Sequence, residues 1–250
     1  HHRAFFQTTD ARVGFEANMA RAVEDGRPVQ VWASREDDLL ANACARAERP
    51  LLRVEDGLLR SRGLGARLVP PLSLVQDDLG IYYDPAEVSR LERLITEAAR
   101  LEPNRLRRAE RLITTLTRKR ITKYNLASDT TLPDWPGGRE IILVPGQVED
   151  DASILRGAGD VDTNLDLLKA ARRLHPTGVL IYKPHPDVEA GLRQGRIPLA
   201  DLVELADHVA TETDPLQLID IADRVVTMTS TLGFEALIRG THVTTLGAPF

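Results

Sequence analysis

The chain has 250 residues, of which 42% are hydrophobic and 28% charged, and this is enough apolar material to bury a sizeable core. Its formal net charge of −5 argues against general attraction to nucleic acid, which requires a basic face. The single cysteine, Cys44, excludes a disulfide within the chain, and no apolar run approaches the roughly 18 residues that span a bilayer.

Short β-rich runs alternate with helical patterns, which is typical of βαβ units around parallel sheets. Pro85 suits the first turn of a helix, and the charge run at the end of the first half indicates a solvated helix face. The elements predicted there are strand 29–33, helix 39–48, strand 51–54, a strand pair or bent strand over 72–75 and 80–83, helix 85–100 and helix 104–126.

Residues 129–138 are rich in turn residues and have no period, so they predict a linker. We therefore expect an α/β fold of two Rossmann-like halves, 1–128 and 139–250, that face each other across a cleft. Ligands of open α/β sheets bind beyond the carboxyl ends of strands, where each motif below lies. The second half is predicted to contain strand 140–144, helix 164–174, strand 178–183, strand 209–211, helix 215–221, strand 224–228, helix 231–239 and strand 243–246.

Two carboxylates, Glu55 and Asp56, end a predicted strand and are followed by Gly57 and Arg60. An acid at the carboxyl end of a strand is a standard position for acid–base catalysis, and glycine lets the backbone approach a ligand closely. An ordinary turn, in which one of these acids caps a helix or pairs with Arg60, explains the same pattern. The motif taken alone leaves both interpretations open.

An acidic run, Glu149, Asp150 and Asp151, follows the buried strand 140–144. Like charges this close raise one another's pKa, which is useful in catalysis, and their oxygens also suit a divalent metal. A solvated loop that caps a helix near Ser153 is the simpler alternative.

Two further motifs suit a phosphate group. Pro184 and Pro186 restrict the backbone around His185, which can contact a phosphate or ribose or can pack under its loop. Ser230 and Thr231 lie where a strand leads into a helix, beside free N–H groups that favour an anion. An ordinary helix N-cap accounts for these hydroxyls equally well.

Five segments in this order, VEDGLLRSRGLG, VPPLSLVQDDLGIYYD, LVPGQVEDDAS, YKPHPDV and TSTLGFEAL, resemble the bacterial capsule polysaccharide β-Kdo transferases of the KpsC type. The resemblance covers roughly residues 28–247, and its motifs are specific together although none is specific alone. It implies a GT-B-like fold and a retaining transfer of Kdo from CMP-Kdo. It also implies that these residues are one module of a longer protein, with the donor half truncated.

The resemblance further implies partners and a location. The acceptor would be a Kdo-terminated glycolipid built on lysophosphatidylglycerol, and CMP-Kdo would be the donor, with no cofactor and no nucleic acid partner. We expect a cytoplasmic protein, peripheral at the inner membrane, that meets the inner-leaflet surface and other capsule assembly proteins.

The His-Pro and Ser-Thr pairs also resemble the CMP-binding motifs of bacterial sialyltransferase families. The donor-binding residues implied by these resemblances are His185, Pro186, Ser230 and Thr231, with Lys183, Glu235 and Gln147 as helpers.

A retaining transfer needs either two inversions or an attack from the front face, and two inversions need a carboxylate nucleophile. Asp151 is the expected nucleophile and Asp150 the next candidate, whereas Glu55 is the expected acid–base group and Asp56 the next candidate. The scheme requires no metal. Two alternatives stay open: a UDP-sugar 2-epimerase-like enzyme, and a non-catalytic sugar-binding module of capsule assembly.

Overall fold

The computed structural model describes residues 14, 16–63, 69–125, 130–135 and 137–249. They form two compact units, one extending to Arg100 and the other beginning at Leu101. Each unit combines helices with a β-sheet, which confirms the predicted α/β class. Within the described residues, no helix is both long enough and apolar enough to cross a membrane.

The first unit contains a three-stranded sheet in the order β1-β2-β3. Its β1 and β2 run parallel, and β3 pairs antiparallel with β2. A small core of Val23, Val29 and Cys44 lies against the sheet. The helices and strands of this unit are α1 (Met19–Glu24), β1 (Val29–Trp32), α2 (Asp38–Arg46), β2 (Leu51–Asp56), β3 (Leu74–Asp77) and α3 (Arg90–Ala98).

Two predictions for this unit are wrong. Residues 80–83 form no strand, because the buried carboxylate of Asp77 accepts hydrogen bonds from the backbone N–H groups of Leu79 and Gly80 and holds a turn. The helix predicted over 85–100 begins only at Arg90. Ser89 caps it by accepting a hydrogen bond from the Glu92 N–H at 3.1 Å, while the Glu92 carboxylate accepts one from the Ser89 N–H at 2.7 Å.

The second unit is built on a five-stranded sheet in the order β6-β5-β4-β7-β8, and all of its described strand pairings are parallel. Its elements are α4 (Pro103–Arg118), β4 (Ile141–Pro145), α5 (Ala152–Gly157), α6 (Asn164–Leu174), β5 (Val179–Lys183), α7 (Pro186–Glu189), α8 (Leu199–Leu205), β6 (His208–Val209), α9 (Pro215–Ile221), β7 (Arg224–Thr227), α10 (Thr231–Leu237) and β8 (His242–Thr245).

The central strands β4 and β5 are buried on both faces, as near-continuous apolar runs in a parallel sheet should be. One hydrophobic cluster joins this sheet to α6 through Leu167 and Leu168. A second cluster, on residues that alternate with the first along the strands, joins the sheet to α9 through Leu216 and Ile219. This packing fixes the strand ends from which the candidate site is built.

The compact units divide earlier than the predicted linker, 129–138. Helix α4 lies in the second unit and ends at Arg118, not near residue 126, and Arg120 beyond it donates a hydrogen bond to Asp220 at 2.6 Å. Trp135 packs against the second core cluster. These contacts attach the described part of the predicted linker to the second unit, while residues 126–129 and 136 lie outside the described residues.

Candidate functional site

Three of the predicted motifs meet at one edge of the second sheet. Strands β5, β4 and β7 are neighbours and run parallel, so their carboxyl ends lie side by side. The loop with Gln147 follows β4, His185 follows β5 and Thr229 follows β7. The structure therefore brings together the acidic run, the His-Pro pair and the Ser-Thr pair.

Gln147 joins the loops that follow β4 and β7. Its side chain is 6% exposed, and its Nε2 donates to Thr229 Oγ1 at 2.8 Å. Its Oε1 accepts hydrogen bonds from the Thr229 N–H at 2.9 Å and from Thr227 Oγ1 at 3.2 Å. Because both polar ends of this side chain bind the protein itself, the geometry supports a role in positioning Thr229 and the hydroxyls beside it.

Asn164, a residue that the sequence did not single out, holds the acidic run in place. Its side chain is fully buried, its Oδ1 accepts from the Gln147 N–H, and its Nδ2 donates to the carbonyl oxygens of Gln147 and Gly195, each at 2.8 Å. Gly195 has a φ of +126°, and a Cβ there would lie 2.6 Å from Asn164 Nδ2. The close approach thus requires glycine at position 195.

The three acids of the run point to different partners. Glu149 accepts from the Asn164 N–H at 2.8 Å, and Asp150 accepts from Arg193 Nη2 at 3.0 Å. Asp151 is exposed at the start of α5, where its Oδ2 accepts from Ser153 Oγ at 2.7 Å. No group of three or more His, Cys, Asp or Glu side chains among the described residues is placed to hold a metal ion.

Asp151 differs from its neighbours in its charge environment. Among the described residues it makes no ion pair, whereas Asp150 is paired with Arg193. Burial and the Lys123 ammonium lower the pKa of the His185 imidazole, and the Asp151 carboxylate acts on it in the opposite direction. Asp150 and Asp151 are both exposed, and Asp151 is the one that makes no ion pair among the described residues and whose charge acts on His185.

His185 is held as a neutral hydrogen-bond donor. Its Nδ1 accepts from the Asp187 N–H at 3.1 Å and so caps α7, in which Pro186 is the first residue. Burial, followed by the nearby Lys123 ammonium, lowers the pKa of His185 to about 4. The imidazole is therefore uncharged at neutral pH, and because Nδ1 is an acceptor, the proton lies on Nε2.

Glu235 is a buried carboxyl group in the second half of α10. Its Oε1 accepts from the Lys123 N–H at 2.9 Å, while its Oε2 is buried with no hydrogen-bond partner among the described residues. The side chain is 6% exposed, and burial raises its pKa to about 7. The group is thus close to half protonated at neutral pH and can both donate and accept a hydrogen bond.

Other predicted donor-site residues carry structural contacts. Ser230 Oγ accepts from the Leu232 N–H at 3.2 Å, so it is the N-cap of α10, and Thr231 is the first residue of that helix. Lys183 is 6% exposed, and its Nζ pairs with Glu189 Oε2 at 2.8 Å. Ser230 is thus an ordinary helix N-cap, and Lys183 is neutralised by an ion pair. Both side chains nevertheless lie at the edge of the candidate site.

The acids of the first unit occupy the last two positions of β2. Asp56 forms an ion pair with the buried guanidinium of Arg60, which also donates to the Val69 carbonyl oxygen at 2.9 Å. Glu55 is half-buried, and its Oε1 accepts from the Asp56 N–H at 3.0 Å. The ion pair with Arg60 therefore gives Asp56 a structural role. The glycine at position 65, which the motif also includes, lies outside the described residues.

The sequence matches a family described as "Capsule polysaccharide biosynthesis protein" over residues 29–128 and 104–250. The capsule polysaccharide modification protein LipA of Neisseria meningitidis serogroup B is 42% identical over 253 residues, which cover 99% of this chain and 35% of LipA. The lipopolysaccharide-processing protein LpsZ of Rhizobium meliloti is 42% identical over 221 residues, 88% of this chain and 50% of LpsZ. The chain thus spans a third to a half of these curated relatives.

Two solved structures from Thermosulfurimonas dismutans are similar to this chain. The KpsC β-Kdo 2,4 transferase has a TM-score of 0.78 and 32% identity, covering 88% of this chain and 69% of its own. The KpsC β-Kdo 2,7 transferase has a TM-score of 0.71 and 34% identity, covering 99% and 74%. These similarities in sequence and structure confirm the predicted resemblance to capsule polysaccharide β-Kdo transferases.

Proposed function

The chain belongs to the capsule polysaccharide biosynthesis protein family, and from this premise we propose that it transfers Kdo from CMP-Kdo with retention of configuration. The acceptor is a Kdo-terminated glycolipid linked to lysophosphatidylglycerol, and no cofactor takes part. One observation carries the proposal: the acidic, His-Pro and Ser-Thr motifs meet at adjacent strand ends in a chain similar to two β-Kdo transferases.

The donor phosphate is the group that His185 and the start of α10 are suited to bind. A neutral imidazole with its proton on Nε2 can donate to a phosphate oxygen, and it keeps this form down to about pH 4. The Ser230 and Thr231 hydroxyls lie beside the backbone N–H groups of the same edge. When CMP departs, these donors stabilise the charge that develops on its phosphate.

The chemical steps follow from a double displacement. The Asp151 carboxylate attacks the anomeric C2 of Kdo, the bond from C2 to the phosphate oxygen breaks, and CMP leaves with the bonding electrons. The acceptor hydroxyl then attacks C2, its proton passes to Glu55, and the Asp151 carboxylate is released. Two inversions at C2 give net retention.

The charge environment supports this choice of residues. Asp150 is engaged by Arg193, and Asp56 is engaged by Arg60, so each runner-up already neutralises a cation. Asp151, by contrast, makes no ion pair among the described residues and accepts a hydrogen bond only from the neutral Ser153 hydroxyl there, so it can approach an anomeric carbon without first breaking an ion pair.

We further propose that the two units are the Rossmann-like halves of a GT-B-like arrangement, with the first serving the acceptor and the second the donor. The proposed reaction requires this, because Glu55 belongs to one unit and Asp151 to the other. A lipid-linked acceptor places the reaction in the cytoplasm at the inner-leaflet surface, where other capsule assembly proteins would be partners.

Nucleotide choice tests the proposal. CMP at about 100 times its dissociation constant should stabilise the fold by about 2.7 kcal/mol. For a chain of this size, that corresponds to a rise in melting temperature of roughly 5–10 °C. UMP and UDP at the same concentration should give much smaller shifts, measured by differential scanning fluorimetry. A preference for UDP would favour an epimerase-like enzyme, and sugar binding without any nucleotide effect would favour a binding module.

A further inference from the structure

The segment 191–195, which follows α7, is anchored to two of the loops that form the candidate site. At one end, the Arg193 N–H donates to the Asp187 carbonyl oxygen in α7 at 3.2 Å. At the other end, the Gln194 carbonyl oxygen accepts a hydrogen bond from the Glu149 N–H at 3.3 Å. Arg193 therefore lies between the helix of the His-Pro motif and the acidic run that contains the proposed nucleophile.

The Arg193 guanidinium points to the acidic run and uses only one of its edges there. Its Nη2 and Nε both donate to Oδ1 of Asp150, at 3.0 and 3.3 Å. A guanidinium carries five N–H donors in a fixed plane. The edge formed by Nη1 and the second N–H of Nη2 makes no hydrogen bond to the described residues. Because Asp150 is the neighbour of Asp151 in the chain, this edge lies close to the proposed nucleophile.

The Arg193 side chain is also accessible to a ligand. It is 36% exposed, and its charge adds to the effect of burial in lowering the pKa of His185, so it lies near the proposed phosphate site. Lys183 differs, because it is mostly buried and its Nζ pairs with Glu189 at 2.8 Å. A ligand would have to break that buried pair at considerable cost, whereas it can reach Arg193 without displacing Asp150.

The proposed donor requires a cation near the nucleophile. In CMP-Kdo the C1 carboxylate is bonded to C2, the anomeric carbon that Asp151 is proposed to attack. Two carboxylates therefore approach each other around C2, and like charges at short distance repel strongly. His185 is neutral and supplies no balancing charge. A planar guanidinium matches the geometry of a carboxylate and binds it through two parallel hydrogen bonds.

Resting on the proposed function, we propose that Arg193 binds the C1 carboxylate of the donor sugar through its outer edge, while Asp150 holds its inner edge. The contact keeps C2 of the sugar next to Asp151 and offsets the charge of the second carboxylate. It also sets the class of donor that the site accepts, which is an acidic sugar whose carboxylate is attached to the anomeric carbon. Asp150 is then a positioning residue for the guanidinium.

Dissociation constants for CMP and CMP-Kdo test this contact. They are measured by calorimetry in the Asp151→Ala background, in which the donor should bind without being consumed. Adding Arg193→Ala should weaken the binding of CMP-Kdo roughly tenfold or more. This substitution also leaves Asp150 without its cation, so a charge-matched variant combines Arg193→Ala with Asp150→Asn. The charge-matched variant should bind CMP as the background does and CMP-Kdo roughly tenfold more weakly.

Asp150→Asn alone is the matched control, because it removes the same ion pair but keeps the guanidinium and an oxygen that can hold it. It should bind CMP-Kdo at least as tightly as the background. If the charge-matched variant binds CMP-Kdo as the background does, or loses CMP and CMP-Kdo affinity equally, Arg193 does not bind the sugar carboxylate. The inference is then overturned and the proposed function stands. If the background itself binds neither ligand, the proposed function fails and this inference fails with it.

Discussion

Replacing Asp151 with alanine should lower the rate of Kdo transfer by a factor on the order of 10⁴ or more, the scale expected when a nucleophile is removed. The affinity for CMP should stay close to that of the wild type, because the proposed phosphate contacts come from His185 and the start of α10. Asp151 is exposed, so its loss should not unfold the protein.

The position of Asp151 supports its role as the nucleophile. The loop before it is fixed by Asn164, whose side chain makes three buried hydrogen bonds, and Asp151 itself directly precedes α5. A short side chain on a fixed loop can hold its carboxylate about 3 Å from the anomeric carbon in a near-attack geometry. Its charge also reaches His185, which places it near the proposed leaving group.

Denaturing mass spectrometry of the protein mixed with CMP-Kdo measures the intermediate. The wild type should gain the mass of one Kdo residue, and Asp151→Ala should not. Glu55→Gln should accumulate the adduct in the presence of acceptor, because CMP can still leave while the acceptor hydroxyl lacks its base. Asp150→Ala is the matched control and should still form the adduct.

Three results would change this assignment. An adduct that persists in Asp151→Ala and vanishes in Asp150→Ala would move the nucleophile by one residue. Measurable transfer without an adduct in any form would favour attack from the front face and leave Asp151 an electrostatic role. Transfer by Asp151→Ala at the wild-type rate would remove it from the mechanism altogether.

Glu235 and His185 should change the stability of the protein with pH in opposite directions. Burial raises the pKa of Glu235 from 4.5 to about 7, so the native state holds its proton more tightly and stability falls as pH rises through this window. Burial lowers the pKa of His185 from 6.5 to about 4, so the unfolded state binds the proton and stability rises between pH 4 and 6.5. Each effect is about 3 kcal/mol in the free energy of unfolding.

Single substitutions should reveal the two opposing effects. Relative to the wild type, Glu235→Gln should make stability rise more steeply with pH between 4.5 and 7, since the falling contribution is removed. His185→Asn, whose side-chain oxygen can still cap α7, should make stability fall more steeply between pH 4 and 6.5. Urea unfolding across this range measures both. Variants whose pH dependence matches that of the wild type would show that neither group has a shifted pKa.

Some helices of the second unit could be predicted from the sequence because they pack regularly against its sheet. The helix at 164–174 and the helix at 215–221 are confirmed with the predicted bounds, because their apolar residues face a sheet of continuous apolar strands. Helices α5 and α7 were missed, since they have 6 and 4 residues and are too short to show a period. Helix α8 was also missed, although it has 7 residues, as many as α9. The start of α3 was predicted wrongly at Pro85, although Ser89 and Glu92 have the spacing of a capping box that marks it.

Only some residues of the candidate site could be predicted from the sequence. His185 and Ser230 stand directly after predicted strands, so their position followed from the alternation of strands and helices. Lys123 could not be found in this way, since it meets Glu235 across 112 residues of sequence and lies in a charge run that predicts a solvated face. Asn164 looks like a helix start in the sequence, and only the folded loops reveal what its side chain binds.

The proposed transfer of Kdo in β linkage is tested by analysing the product. The protein is incubated with CMP-Kdo and a synthetic Kdo-terminated acceptor, and the acceptor is analysed by mass spectrometry together with the linkage of the added sugar. Each product should gain one Kdo residue in β linkage, with release of one CMP per transfer. Acceptor left unmodified by a protein that binds CMP and the acceptor would contradict it, as would transfer in α linkage.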